Sequence, residues 1–370
     1  MAHHAGESGG SSPMLRAGGA EFDDFADISA GGRRAARKGA SFGRLLVTGR
    51  AIPAELLAPL RARGMTVSML TSVLSEDELA QELRDAAAYL HGGEEYASAR
   101  ALRGASRLQV IAFLGVGYET FVDVAAAAEL GIAVTNTPGA ATDSVAAFTV
   151  GQLINANWRI RDHLDKRVPD WNTAAELPHE LGALRAGIVG LGAIGTRIAE
   201  ILRMAFGMKV AYFSRSRKPW AEASLGLTFL PLHELAEWSD ALVVMVPGND
   251  KTRHLVDASV FARMRPGTLL VNTARPALVD PTALHAALRE GRVAAAVFDG
   301  FYDDATEAAT RLLTDFHDRL LVTGHIASHT QEAMSRMVRQ AVRSIENVLI
   351  SGTDEYEVGG WPRVWRNSLP

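Results

Sequence analysis

From Arg44 onward the chain alternates short, unbroken apolar runs with longer stretches of helical period. One series of runs is RLLVTG, MTVSML, AAAYLHGG, LQVIAFLG and GIAVTNTPG; a second is AGIVGLG, MKVAYFS, ALVVMVP, TLLVNTA, VAAAVFD and RLLVTGH. All are of strand length. Unbroken apolar strands separated by helices predict parallel sheets covered on both faces. Two series predict two sheets, and the expected class is α/β with two doubly wound domains. Among the helical stretches, TALHAALRE is followed by Gly291 as a stop. The last long helix, over residues 330–351, places Met334, Met337, Val338, Ala341, Val342, Ile345, Val348 and Leu349 on one face. Arg336, Arg339 and Arg343 fall elsewhere on it, and the helix is expected to serve packing.

The first 40 residues break this pattern. They are rich in Gly, Ser and Ala, lack apolar periodicity and predict a disordered tail. They also lack the apolar core of a secretory signal. The cluster Arg33, Arg34, Arg37 and Lys38 suits a solvated linker. No run reaches the roughly 18 apolar residues of a membrane span, so no membrane partner and a cytoplasmic protein are expected. The 370 residues are 48% hydrophobic and 22% charged, which is ordinary for a globular chain. A net charge of −4 argues for no nucleic-acid partner. There is no cysteine, which excludes disulfides, thiolate nucleophiles and cysteine metal sites.

AGIVGLGAIGTRIAEIL carries Gly190, Gly192 and Gly195 between an apolar strand and an amphipathic helix. In that context Gly190 allows a tight turn, Gly192 lets the backbone approach a pyrophosphate, and Gly195 lets helix and strand pack closely. The helix start, at Ala193 and Ile194, offers free N–H groups to the phosphates. A dinucleotide site normally carries an acid about 20 residues on, bonded to the ribose 2′-OH. Here the next strand ends in Ser214, Arg215, Ser216, Arg217 and Lys218, with no carboxylate. Arginine and serine suit a 2′-phosphate, so NADP is favoured, with NAD the alternative.

Beyond the loop come NTARPALVDPTALHAAL, VFDGFYDDATEA and VTGHIASHTQEA, in that order. The chain resembles the D-2-hydroxyacid dehydrogenase family, with glyoxylate/hydroxypyruvate reductase, phosphoglycerate dehydrogenase and formate dehydrogenase as relatives. The resemblance covers residues 44 to about 350. It implies two Rossmann-like or flavodoxin-like domains with a cleft between them. Residues 41–138 and 328–360 would form a catalytic domain, residues 139–327 the NAD(P)-binding domain, and residues 361–370 a tail. A homodimer is also implied.

The resemblance assigns roles residue by residue. Arg275 matches the arginine that binds the carboxylate and carbonyl of a 2-oxo acid. His325 matches the general acid that protonates the carbonyl oxygen. Asp304, in family register, matches the carboxylate paired with that histidine and is expected to raise its pKa. Asp299 matches the strand aspartate; Pro247, Thr252 and Thr273 would also line the cofactor. Gly92, Gly93, Val116 and Gly117 match the loops that hold the substrate carboxylate, with His91, Glu94 or Tyr118 toward its variable group. Three positions depart from the family: Pro276 stands where Gly is usual, Gly324 where Pro is, and Ala305 where Pro is.

His325 and His329 are spaced as a metal pair only if a helix underlies both. A capping box of Ser328 with Gln331 would start the helix after His325, which argues against a metal site. The leading function is therefore an NAD(P)-dependent 2-oxoacid reductase. The alternatives are an NAD(P)(H)-sensing binding protein of the corepressor type and a formate- or phosphite-type dehydrogenase.

Overall fold

The computed structural model describes residues 42–164, 177–302 and 306–359. Among these residues the chain forms two parallel sheets. The first holds β1 (Arg44–Gly49), β2 (Thr66–Leu70), β3 (Ala86–Gly92), β4 (Val110–Phe113) and β5 (Ala133–Thr135), in the order β2-β1-β3-β4-β5. The second holds β6 (Arg185–Val189), β7 (Lys209–Phe213), β8 (Thr228–Phe229), β9 (Ala241–Val244), β10 (Thr268–Asn272), β11 (Val293–Asp299) and β12 (Leu320–Thr323). Its order is β12-β11-β10-β9-β6-β7-β8. All the pairings are parallel. Each expected run contains one of these strands. The edge strand β8 escapes the sequence pattern because two residues carry no periodicity.

The expected burial on both faces is present. β4, β9 and β10 are buried at every position. The helix Gln331–Ser351 seals one face of the first sheet: Met337, Val338, Ala341 and Ile345 pack with Leu45, Leu90, Val110 and Ala112. All the residues of its expected apolar face lie in that cluster, with Leu349 at its partly buried margin. The helix Thr142–Trp158 covers the second sheet instead, through Ala146, Val150 and Leu153 against Ile198, Leu202 and Val271. The last helix therefore returns to the first sheet after the chain has built the second. Its N-cap is Thr330, whose hydroxyl accepts from the Ala333 N–H at 3.2 Å, and not Ser328. Among the described residues no helix is long and apolar enough to cross a membrane.

In each sheet the strand order reverses beside an early strand, between β1 and β3 in the first and between β6 and β9 in the second. Carboxyl ends of parallel strands next to such a switch point form a crevice. Gly92 lies at the end of β3 and Gly190 just past β6; Arg275, Asp299 and His325 sit at the ends of β10, β11 and β12.

Ile345 is fully buried in the first core. Ile345→Ala should cost about 2–5 kcal/mol of stability, read as a lower urea midpoint at unchanged slope. Leu349→Ala, at the margin, should cost less; equal losses would show that the helix does not seal the sheet as described.

Candidate active site

The loop after β6 divides its three glycines between two jobs. Gly190 has φ +108°, and a Cβ there would stand 2.5 Å from the Met245 carbonyl oxygen. A Cβ on Gly195 would stand 2.1 Å from the Gly190 oxygen. Internal packing therefore demands glycine at both. A Cβ on Gly192 would meet no protein atom within 4 Å. Nothing inside the fold requires that glycine; it leaves the backbone open on the side from which a ligand would come. Gly192 is also the N-cap of the helix Ala193–Phe206, and no side chain caps the first turn. The orphan N–H groups there, including those of Ala193 and Ile194, suit an anion. These residues fit the pyrophosphate of a dinucleotide.

At the end of β7 the Ser214 hydroxyl donates to the Ser216 carbonyl at 2.6 Å, fixing a turn that leaves Arg215 and Ser216 exposed. Arg217 does not share that freedom. Its guanidinium pairs with Glu222 at 2.7 Å and lies over the Phe229 ring, and it holds the Glu222 carboxyl below its ordinary range. The basic end of this strand reduces to Ser214, Arg215 and Ser216. Past β9, Thr252 donates to the Pro247 carbonyl at 2.7 Å and accepts from the Asn249 N–H at 2.9 Å. Thr273 is buried, and its hydroxyl shares a 2.6 Å hydrogen bond with that of Thr149. Both threonines are engaged within the protein.

Arg275 is aimed by its neighbours. Buried Asn272 accepts from the Ala274 N–H and donates to the Arg275 carbonyl at 2.8 Å, which fixes the turn out of β10. Pro276 begins the 3-10 turn Pro276–Leu278, where a proline's set φ and missing N–H fit without strain. The Arg275 guanidinium donates from Nη1 to the Ala274 carbonyl at 2.9 Å and from Nη2 to the Gly117 carbonyl at 3.2 Å. It lies 5.9 Å from the Phe121 ring centroid. A Cβ on Gly117 would stand 2.4 Å from Nη2, and one on Gly248 would stand 2.7 Å from Cγ. These two glycines make room for the arginine. The sequence places Gly117 near the substrate cleft; its visible role is this space. Gly248, Asn272 and Phe121 carry no readable signal apart from lying beside marked residues.

The His325 side chain faces that guanidinium, Nη1 to Nε2 at 3.4 Å. An arginine can only donate, so the contact requires a neutral imidazole with Nε2 accepting. His325 has φ +57°, a left-handed conformation. The buried Asp299 carboxylate holds the loop in it. Asp299 accepts from the Thr323 hydroxyl at 2.6 Å and from the Ile326 and Ala327 N–H groups at 2.9 and 2.8 Å. Ser144 adds a 2.6 Å bond to the Ala327 carbonyl. No helix underlies His325 and His329, so the metal-pair geometry is not met. Asp304 lies outside the described residues.

The substrate-side loops come out mixed. Gly92 and Gly93 both have packing reasons: a Cβ on Gly92 would stand 2.9 Å from Leu114 Cδ1, and one on Gly93 would overlap the Glu95 carboxylate. Glu95 itself is buried and accepts from the Thr48 hydroxyl at 3.1 Å. Val116 is half exposed. His91 is a core residue and not a substrate contact. It is fully buried, stacked on Tyr89 and bonded through Nε2 to the Glu95 carbonyl, and burial pushes its pKa down to about 4.

Residues 150–327 match the family described as D-isomer specific 2-hydroxyacid dehydrogenase, NAD binding domain. The chain is 40% identical over 252 residues to a glyoxylate reductase from Aeropyrum pernix, covering 66% of this chain and 74% of the relative. The chain belongs to the D-isomer specific 2-hydroxyacid dehydrogenase family. Its fold matches the crystal structure of the TT0316 protein from Thermus thermophilus, with a TM-score of 0.74 at 31% identity over 85% of this chain and 100% of that one. A D-lactate dehydrogenase from Aquifex aeolicus, solved with NAD and lactic acid, gives 0.74 at 25% identity over 86% and 100%. This dehydrogenase is an oxidoreductase acting on the CH–OH group of donors.

The described neighbours set the electrostatics of His325, while Asp304, expected from sequence to raise its pKa, lies outside the described residues. The His325 ring meets solvent, yet the surrounding protein removes enough water to disfavour the cation. The Arg275 charge acts in the same direction, and the pKa lies below its ordinary value. Asp299 and Glu94 oppose this without overcoming it. The protonated ring is therefore lost, as pH rises, at a lower pH than for a free histidine. Glu94→Gln should lower the His325 pKa further and Arg275→Gln should raise it, each by less than about one unit. Titration of the His325 ring resonance by NMR reads both. Shifts of the reversed sign would show that neither charge acts on the ring as described.

Proposed function

We propose that this dehydrogenase works chiefly as a reductase of small 2-oxo acids. The observation that carries the reading is the 3.4 Å approach of Arg275 Nη1 to His325 Nε2 at the ends of β10 and β12. It places a planar, permanently charged donor beside a titratable ring. A 2-oxo acid needs both: a fork for its carboxylate and carbonyl oxygens, and a proton for the carbonyl oxygen once reduced. The glyoxylate reductases among its relatives support a small substrate.

In this reading Arg275 binds the substrate carboxylate and orients the carbonyl. That carboxylate offsets the arginine's charge, which is one of the causes depressing His325, so binding favours protonation of the ring. His325 then donates its Nε2 proton to the carbonyl oxygen, and in the oxidative direction accepts it back. Asp304 is assigned the histidine's carboxylate partner. Val116 and the main chain at Gly92, Gly93 and Gly117 border the substrate. A bound nicotinamide dinucleotide supplies the hydride. Gly190, Gly192, Ala193, Ile194 and Gly195 would hold its pyrophosphate, and Pro247, Thr252, Thr273 and Asp299 border its path. Ser214, Arg215 and Ser216 would take a 2′-phosphate, so NADPH is the assigned cofactor and NADH the alternative. A homodimer is assigned as well, supported by exposed Trp158, Leu177 and Met204.

Arg275→Ala should remove about 3–5 kcal/mol of transition-state stabilisation, read as kcat/KM on a panel of 2-oxo acids, with cofactor affinity nearly unchanged. Near-native turnover on every accepted substrate would sink the assignment. For the cofactor, the ratio of kcat/KM with NADPH to that with NADH should exceed one and fall sharply in Ser214→Asp/Arg215→Ala. A parent enzyme that prefers NADH tenfold would end the NADP reading.

A further inference from the structure

The outer face of the helix Gln331–Ser351 carries Arg336, Arg339, Gln340 and Arg343, which with Ala140 and Tyr356 line a concavity of about 380 Å³. We propose that this concavity is a binding site for a small phosphate ester, separate from the cleft that holds Arg275 and His325.

The helix itself sets the spacing. Positions 336, 339, 340 and 343 share one stripe, and Arg336 to Arg343 spans roughly 10 Å along the axis. Three guanidinium groups there face one hollow, and like charges at these spacings repel. Several other exposed arginines are neutralised by carboxylates: Arg100 by Glu76 and Asp77, Arg197 by Asp143 and Glu200, Arg217 by Glu222. The nearby acid Glu346 is drawn to Arg63, at 2.7 Å. Among the described residues neither Arg339 nor Arg343 has an ion-pair partner.

The acids on the rim are already engaged. Asp354 accepts from the Ser344 hydroxyl at 2.9 Å, the Asn347 amide at 2.8 Å and the Tyr356 N–H at 2.9 Å. Glu355 is hydrogen-bonded to the Tyr356 side chain; burial above all, and then this acid, raise that phenol's pKa. A second kind of observation points the same way. The side-chain amide nitrogen of Gln340 is buried and has no hydrogen-bond partner among the described residues. An unmet buried donor calls for an acceptor, and the cations around it favour one that is anionic.

The geometry favours phosphate over carboxylate. A tetrahedral phosphate monoester presents three oxygens and close to two charges, so it can accept from several forks and an amide together. A planar carboxylate presents two oxygens and one charge. The volume lies at the lower end of small-molecule sites, which limits the ester to a compact one. The site also touches the joint between the sheets, because Arg336 Nε donates to the Ala140 carbonyl at 2.8 Å, just before the helix Thr142–Trp158.

The test is calorimetric titration of the full chain with inorganic pyrophosphate at constant ionic strength. The variants are Arg339→Gln/Arg343→Gln, its lysine counterpart Arg339→Lys/Arg343→Lys, and Arg215→Ala/Arg275→Ala. The glutamine pair should weaken one pyrophosphate site by at least about tenfold while leaving the basal kcat and the thermal midpoint without ligand unchanged. The lysine pair should restore part of the affinity, since it keeps charge but loses the fork. The site should survive in Arg215→Ala/Arg275→Ala. Binding no tighter than that of chloride, or a glutamine pair that binds like the parent, would overturn the site. Tighter binding of tricarballylate than of pyrophosphate would overturn its assignment to phosphate esters.

Discussion

At the end of β11 the Asp299 carboxylate lies out of water and takes hydrogen bonds from Thr323, Ile326 and Ala327. A buried charge of this kind is stable only while its donors stay in place. The donors belong to the segment that carries His325, so the carboxylate dictates the backbone of that segment, including the left-handed turn at His325 itself. The helix Thr142–Trp158 extends the same control. Its Ser144 holds the Ala327 carbonyl beside the histidine, and its Thr149 holds Thr273 beside the arginine. One helix thus braces both loops, and the 3.4 Å separation of Arg275 and His325 follows from that shared support.

Two influences on the His325 ring act in the same direction. Loss of water around the ring disfavours the imidazolium, and so does the arginine beside it. A group that must donate a proton would ordinarily want the reverse. On the proposed reading an anionic substrate lying between ring and arginine would offset the charge that holds the proton off.

How much of this can be read in the residues depends on the range of each interaction. The glycine loop is legible because its three glycines stand at a fixed spacing between a strand and a helix that have clear periods. The apolar face of the last helix is legible for the same reason. His91 is not. A strand buried on both faces offers no alternation to show which side a polar residue takes, and only the stack on Tyr89 and the bond to Glu95 reveal it as core. Arg217 reads as a phosphate ligand because Glu222, its partner, lies on the following helix. Ser328 and Thr330 both satisfy capping chemistry, and only the path of the chain chooses Thr330. The depressed pKa of His325 depends on two loops meeting through the fold, which no local pattern encodes.

The return of the last helix to the first sheet sets the order in which the molecule can be completed. β1 to β5 emerge from the ribosome first, yet the apolar face that Met337, Val338 and Ile345 cover waits until the second sheet has been made. During that interval the second sheet can close around its own core, while the first remains open on one side and prone to association with other chains. The first sheet with its covering helix is not one continuous piece of chain that could be cut out whole, whereas the second, from Thr142 to Thr323, is. A nascent chain stalled after β12 would carry a finished nucleotide-type sheet beside an unfinished partner, and would be a natural client for a chaperone.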